Sequence, residues 1–167
     1  MSIIKKYYWL IPIVGGIISL IGMTVPIWYS TTVWVEYVWI IGIIHHVTGG
    51  NVLDWAPIEM LFPSIITTIL ISLSSVMVIT SAIFKYRKKK FLGNTENLWI
   101  IMAILKLSAI IGYFFGIQYG FYLNTEIHFW TIYGVQIGFF MPLVGMGLSI
   151  IGAIIGKLID RNSPIIY

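Results

Sequence analysis

The side chains able to do chemistry fall into two groups. Three histidines, His45, His46 and His128, accompany Glu36, Asp54, Glu59 and Glu126. Imidazole and carboxylate bind zinc when three or four of them converge. His45 and His46 are adjacent, however, and adjacent side chains on a strand point to opposite faces. They are not expected to share a metal, and none is assigned. The chain has no cysteine, which removes disulfides, thiolate metal sites and cysteine nucleophiles. No Ser/His/Asp order, Gly-rich phosphate loop or HExxH motif occurs, so protease, kinase and nucleotide-binding chemistry has no residues to carry it. The expectation is a non-catalytic protein without a cofactor. The second group is a single residue, Lys106, set in a long apolar run. An ionisable group there is a functional candidate by default. It lies only about 12 Å of helical rise from the start of that run at Leu98, so its long side chain is expected to snorkel out. Ser74 and Ser75 are candidate partners if it does not.

The elements that hold these groups follow from composition. Hydrophobic residues make up 59% of the 167 and charged residues 10%, against about 25% charged in a globular domain. Such a chain cannot cover a soluble core, so lipid is its solvent. Four apolar runs, 8–28, 58–84, 98–123 and 134–156, are each long enough to span a bilayer as helix. Two lysines before the first run resemble a signal peptide, but the run is too long and contains no alanine for a cleavage site. It is read as a retained helix, with Trp9 and Trp28 at its two membrane interfaces. The expected fold is an all-α membrane protein: one four-transmembrane-helix bundle with a small external β-sheet between helices one and two. The abundance of isoleucine fits an AT-rich bacterial or archaeal genome.

Orientation follows from the basic residues. Lys5, Lys6, Lys85, Arg87, Lys88, Lys89, Lys90, Lys157 and Arg161 all fall on one side of that topology, and residues 29–57 and 124–133 contain none. By the positive-inside rule both termini are cytoplasmic, and the protein is a multi-pass protein of the cell membrane. The basic run therefore serves topology and contact with membrane lipids, and no nucleic acid is expected.

Small residues recur at helical spacing. The third helix carries Gly112, Gly116 and Gly120; the fourth carries Gly138, Gly145, Ser149, Gly152 and Gly156; the second carries Ser64, Thr68, Ser72 and Ser75. In lipid, helices associate through close backbone approach at such positions, and the stripes are expected to pack the bundle. The segment 12–22, PIVGGIISLIG, aligns without gaps on 142–152, PLVGMGLSIIG. A shared packing motif explains this better than an inverted transporter repeat.

Residues 29–57 form the only sizeable segment that a bilayer would not bury. Residues 31–47 are dense in β-branched and aromatic types, 48–51 signal a turn, and 52–55 return as a partner strand. Trp34, Tyr37, Trp39 and Trp55 are the expected interaction surface, because aromatics dominate binding hot spots. An exposed sheet edge there would pair with another copy.

Four helices, cytoplasmic termini, a β-rich first external loop and a small second one resemble the claudin-like tetraspan superfamily. Val25-Pro-Ile-Trp28 is similar to the Pro-x-Trp at the outer end of the first helix in claudins, and Trp39 sits where that family's loop tryptophan falls. Pro63 fits near the start of the second helix. The paired loop cysteines are absent, so a junction-forming role does not carry over. The resemblance implies an integral membrane protein acting through self-association, as a homo-oligomer, or recognition of another membrane protein. The alternatives are a small transporter or channel using Lys106 and the glycine-lined helices, or an accessory subunit of a larger complex.

Overall fold

The computed structural model describes residues 2–30, 35–47, 50–89, 91 and 93–161. In chain order these form helices α1 (Ser2–Tyr7) and α2 (Leu10–Gly22), strands β1 (Trp28–Ser30), β2 (Glu36–Val38), β3 (Ile43–His46) and β4 (Val52–Trp55), helices α3 (Ile58–Tyr86) and α4 (Thr95–Thr125), a 3-10 turn at Phe129–Thr131, strand β5 (Tyr133–Val135) and helix α5 (Ile137–Arg161). Three helices, α3, α4 and α5, are long and apolar enough to cross a membrane. The protein is therefore a membrane protein built mainly of helix.

The helices close a ring in which α2 packs on α3 and α5, and α4 packs on α3 and α5. Its interior inverts the soluble pattern. Ser19, Ser64, Ser74, Ser75, Ser81 and Ser149 are buried, whereas Phe62, Ile104, Phe115 and Ile137 are exposed on the outer faces. Small hydroxyl residues let the backbones approach, and large apolar side chains meet the lipid.

The first apolar run differs from expectation. The chain breaks at Tyr8 and Trp9, so α2 has only 13 residues and ends at Gly22. Residues 24–27 leave the helix, and Trp28 opens β1. Trp28 is not at a lipid interface. It is wholly buried, donates its indole N–H to the Tyr113 hydroxyl at 3.2 Å, and packs among Tyr113, Phe129 and Phe139. Pro26 accounts for the early exit: a proline supplies no backbone donor, and it disfavours helical geometry at the residue before it.

The sheet is antiparallel with strand order β4-β3-β2-β1-β5. Four strands come from the expected insert. The fifth, β5, joins the last residue of the expected second loop (124–133) to the first two of the expected fourth helix (134–156), where no strand was expected, and it pairs Tyr133 with Ser30 and Val135 with Trp28; α5 begins only at Ile137. The β2–β3 hairpin closes through Gly42, whose φ of +84° favours glycine and whose N–H donates to Trp39 O at 3.0 Å. Trp28, Val38, Ile40 and Ile44 turn one face of the sheet onto α3 and α4, where they pack with Ile71, Tyr113 and Ile117.

The segment 12–22 lies antiparallel to its similar partner 142–152. A Cβ on Gly152 would meet Pro12 at 2.7 Å, and one on Gly22 would meet Pro142 at 3.0 Å. Ser19 donates to Gly15 O and Ser149 to Gly145 O, each at 2.9 Å. The likeness is thus one packing motif used twice across a local two-fold. Among the other expected packing glycines, Gly116 faces Pro63 and Gly120 faces the Glu59 backbone, while a Cβ on Gly145 would lie 2.1 Å from Ser19 Oγ. Gly112 is a correction: it is exposed, and nothing approaches it within 4 Å. Its partners at i+4 and i+8 drift round the helix, so only they reach α3.

Candidate functional site

The sheet has two faces with different chemistry. On the inner face, cross-strand register lines up Tyr133, Ser30, Glu36 and His46. The buried Glu36 carboxylate receives the Tyr133 hydroxyl on Oε2 and lies 2.6 Å from His46 Nδ1 through Oε1. Burial, and then the hydrogen bond to Glu36, holds the Tyr133 phenol well above its ordinary pKa. This polar line ties β5 to β1, β2 and β3.

On the outer face, Tyr29, Tyr37, His45 and Leu53 stand in register. Tyr29 and Tyr37 have ring centroids 4.8 Å apart, and His45 Nε2 lies 2.8 Å from Asn51 Oδ1. His45 and His46 thus point to opposite faces, as the strand geometry requires. His128 is elsewhere, 2.9 Å from Gln118 Nε2. Among the described residues no three metal-ligating side chains converge.

The expected interaction residues differ in exposure. Trp34 lies outside the described residues. Tyr37 and Trp39 are half-buried, because Tyr37 packs between Tyr29 and His45 and Trp39 donates its indole N–H to Thr24 O at 3.2 Å. Only Trp55 is exposed, at 62%, beside Leu53 at 66%. Both belong to β4, a sheet edge whose four residues are all exposed. The apolar surface continues down α3 through Ile58 and Phe62, 69% and 67% exposed.

Below this edge lies an open apolar groove of about 640 Å³. One wall is the end of α2 with Leu20, Met23 and Thr24, and Ser72 of α3 adjoins it. The other wall is the sheet, with Trp39, Ile43, Leu53 and Trp55. Asp54 is its one charged residue. The groove exists because α2 ends at Gly22 while α3 runs on to meet β4.

Lys106 behaves unlike the snorkelling expectation. It is wholly buried and donates from Nζ to Ser19 Oγ on α2 at 3.0 Å. No ion pair among the described residues involves it. Ser74 instead bonds Ile71 O, and the buried Ser75 Oγ has no hydrogen-bond partner among the described residues. The side chain turns inward to an acceptor on the small Ser19, itself wholly buried.

A cluster at the basic end of the bundle escaped the sequence reading. Lys85 Nζ lies 2.9 Å from Glu96 Oε1 and 3.2 Å from Asp160 Oδ2, and the Tyr8 hydroxyl reaches Glu96 Oε1 at 3.3 Å. One side chain from each packed helix or its flank meets there. A Cβ on Gly156 would fall 2.8 Å from both Glu96 and Tyr8, so that glycine makes room for the knot. The available signal is an acid near each of two helix ends, Glu96 and Asp160, on the side where the basic residues alone set the topology.

No protein-family model matches the chain, and no curated protein matches its sequence.

Proposed function

We propose that this is a claudin-like, four-span protein of the cell membrane that assembles laterally through the β4 edge of its external sheet. In this reading the broken pair α1–α2 supplies the first crossing, both termini and the basic loop are cytoplasmic, and the role is non-catalytic. The partner is a second copy or another membrane protein. The observation that supports the reading best is the exposed β4, which among the described residues pairs on one side only and leaves Val52, Leu53 and Trp55 exposed. An apolar strand edge is a template for another strand. Its continuation onto Ile58 and Phe62 would let two copies meet both above the bilayer and within it.

The absence of cysteine makes the test direct. Val52→Cys in native membranes is expected to give a disulfide-linked dimer, or a heterodimer of fixed mass. Ile104→Cys, on the outer face of α4, is expected to give none. Failure of Val52→Cys to cross-link, with protein present in the membrane, would refute edge-mediated assembly. A second reading, passage of an ion or solute through the bundle, draws on the buried Lys106 and on Ser75, which has no hydrogen-bond partner among the described residues. It requires that Lys106→Leu abolish a flux measured in reconstituted vesicles.

A further inference from the structure

The groove beneath β4 is a binding site with its own chemistry. We infer that it holds one hydrocarbon chain of an outer-leaflet lipid whose amine-bearing headgroup sits beside Asp54. The inference rests on the membrane placement proposed above but not on assembly through β4.

Depth is the first argument. Leu20 lies about 18 Å of helical rise beyond Tyr8, and Ser72 about 20 Å before Lys85. Tyr8 and Lys85 mark the basic end of the bundle, where Lys85 meets Glu96 and Asp160. The hydrocarbon core is about 30 Å thick, so the floor of the groove falls just beyond its midplane. The groove then rises to Asp54 and Trp55 at the level of the sheet. It therefore spans one leaflet, the outer one, and opens where acyl chains are the solvent.

Shape and polarity agree with that occupant. A volume of about 640 Å³ lies within the range of small-molecule sites, roughly 300–1,000 Å³. The Trp39 indole N–H, which could otherwise face the groove as a donor, is engaged by Thr24 O. The Ser72 hydroxyl is turned to Met23 Sδ at 3.5 Å. The deep walls thus present hydrocarbon, while the one charge stands at the outer end.

Charge selects the headgroup. Asp54 accepts the Trp55 backbone N–H on Oδ1 at 2.7 Å and makes no ion pair among the described residues. No lysine or arginine occurs in residues 29–57 or 124–133. The ammonium of a zwitterionic headgroup thus meets a carboxylate without a competing side chain, whereas a headgroup with net negative charge is repelled.

The test is photolabelling of the full-length protein in phosphatidylglycerol vesicles. The probe is a trace phosphatidylethanolamine or phosphatidylglycerol carrying a diazirine in one acyl chain. With the ethanolamine probe, label is expected on Met23, Trp39 and Trp55 in excess of that on Ile104 and Phe115 of the lipid-facing α4 surface. The glycerol probe is expected to label the groove roughly threefold less, the scale of one partly screened charge contact. Asp54→Asn, an exposed and structurally mild change, should bring the two probes level. Ser72→Phe should empty the groove of label while leaving α4 labelled. Label on α4 without excess in the groove overturns the lipid site and leaves the membrane placement standing. Equal labelling by both probes in the unaltered protein overturns the headgroup assignment. Groove residues that cross-link to a second copy while excluding both probes overturn lipid as the occupant.

Discussion

Replacing Lys106 by methionine should make this protein more stable, although it removes a hydrogen bond. Placing a lysine at the centre of a membrane helix costs about 2.5–3.5 kcal/mol. Against that stands the 3.0 Å bond from Nζ to Ser19 Oγ; a hydrogen bond to a charged group contributes about 1.5–3 kcal/mol. The difference leaves a net gain of about 1 kcal/mol for Lys106→Met, which keeps the apolar stem volume. Ser19 is not orphaned by the change, because it still donates to Gly15 O. The reciprocal substitution behaves oppositely. Ser19→Ala leaves a buried ammonium without its acceptor and should cost about 2 kcal/mol. In the Lys106→Met background the same change should cost only about 0.5 kcal/mol, because the remaining bond is local and neutral. The coupling between the two sites is then about 1.5 kcal/mol, well inside the range of contacting residues. Reversible unfolding in mixed micelles, read by tryptophan fluorescence over the four-member cycle, measures each value. A loss of 2 kcal/mol or more on Lys106→Met would refute the reasoning, since the lysine would then hold the fold. Equal costs of Ser19→Ala in both backgrounds would refute the pairing.

Two further outcomes follow from the packing and the sheet. Gly145→Ala should destabilise by about 2 kcal/mol, because its Cβ would lie 2.1 Å from Ser19 Oγ and 2.2 Å from Gly15 O; Gly112→Ala, with nothing within 4 Å, should gain about 0.5–1 kcal/mol from helix propensity, both read in the same unfolding assay. Alkaline titration should loosen the sheet through Tyr133. Its phenol is raised by burial and by Glu36, so the folded state holds the proton more tightly than the unfolded chain, where tyrosine titrates near ~10. The stability it contributes is complete below about pH 10 and falls as pH rises above it. Tyr133→Phe should be less stable at neutral pH by about 1 kcal/mol and should show a shallower fall above pH 10, with an unchanged slope counting against the assignment.

Much of this architecture is written in local pattern. The membrane character follows from composition, because 10% charged residues cannot clothe a soluble core. The spans of α3 and α4 fall within a few residues of the apolar runs, since a lipid-facing helix must be apolar along its whole length. Strand character in 36–46 and 52–55 was legible in the β-branched and aromatic residues, and the opposite facing of His45 and His46 follows from the period of a strand alone. Other features needed the tertiary fold. The strand at Tyr133–Val135 is three residues long, too short for periodicity, and it exists because Trp28–Ser30 offers an open edge some hundred positions away in sequence. The burial of Trp28 depends on Tyr113, Phe129 and Phe139 arriving from two other helices and a turn. The first apolar run ends early because its last residues are worth more paired in the sheet than wound in a helix. Lys106 shows the division most sharply. Its sequence position marks an ionisable group in lipid, but whether a flexible four-carbon stem turns outward or inward depends on the neighbour it meets. Only the ring in which α3 and α5 hold α2 opposite α4 brings Ser19 Oγ to 3.0 Å from Lys106 Nζ and gives the inward side chain an acceptor.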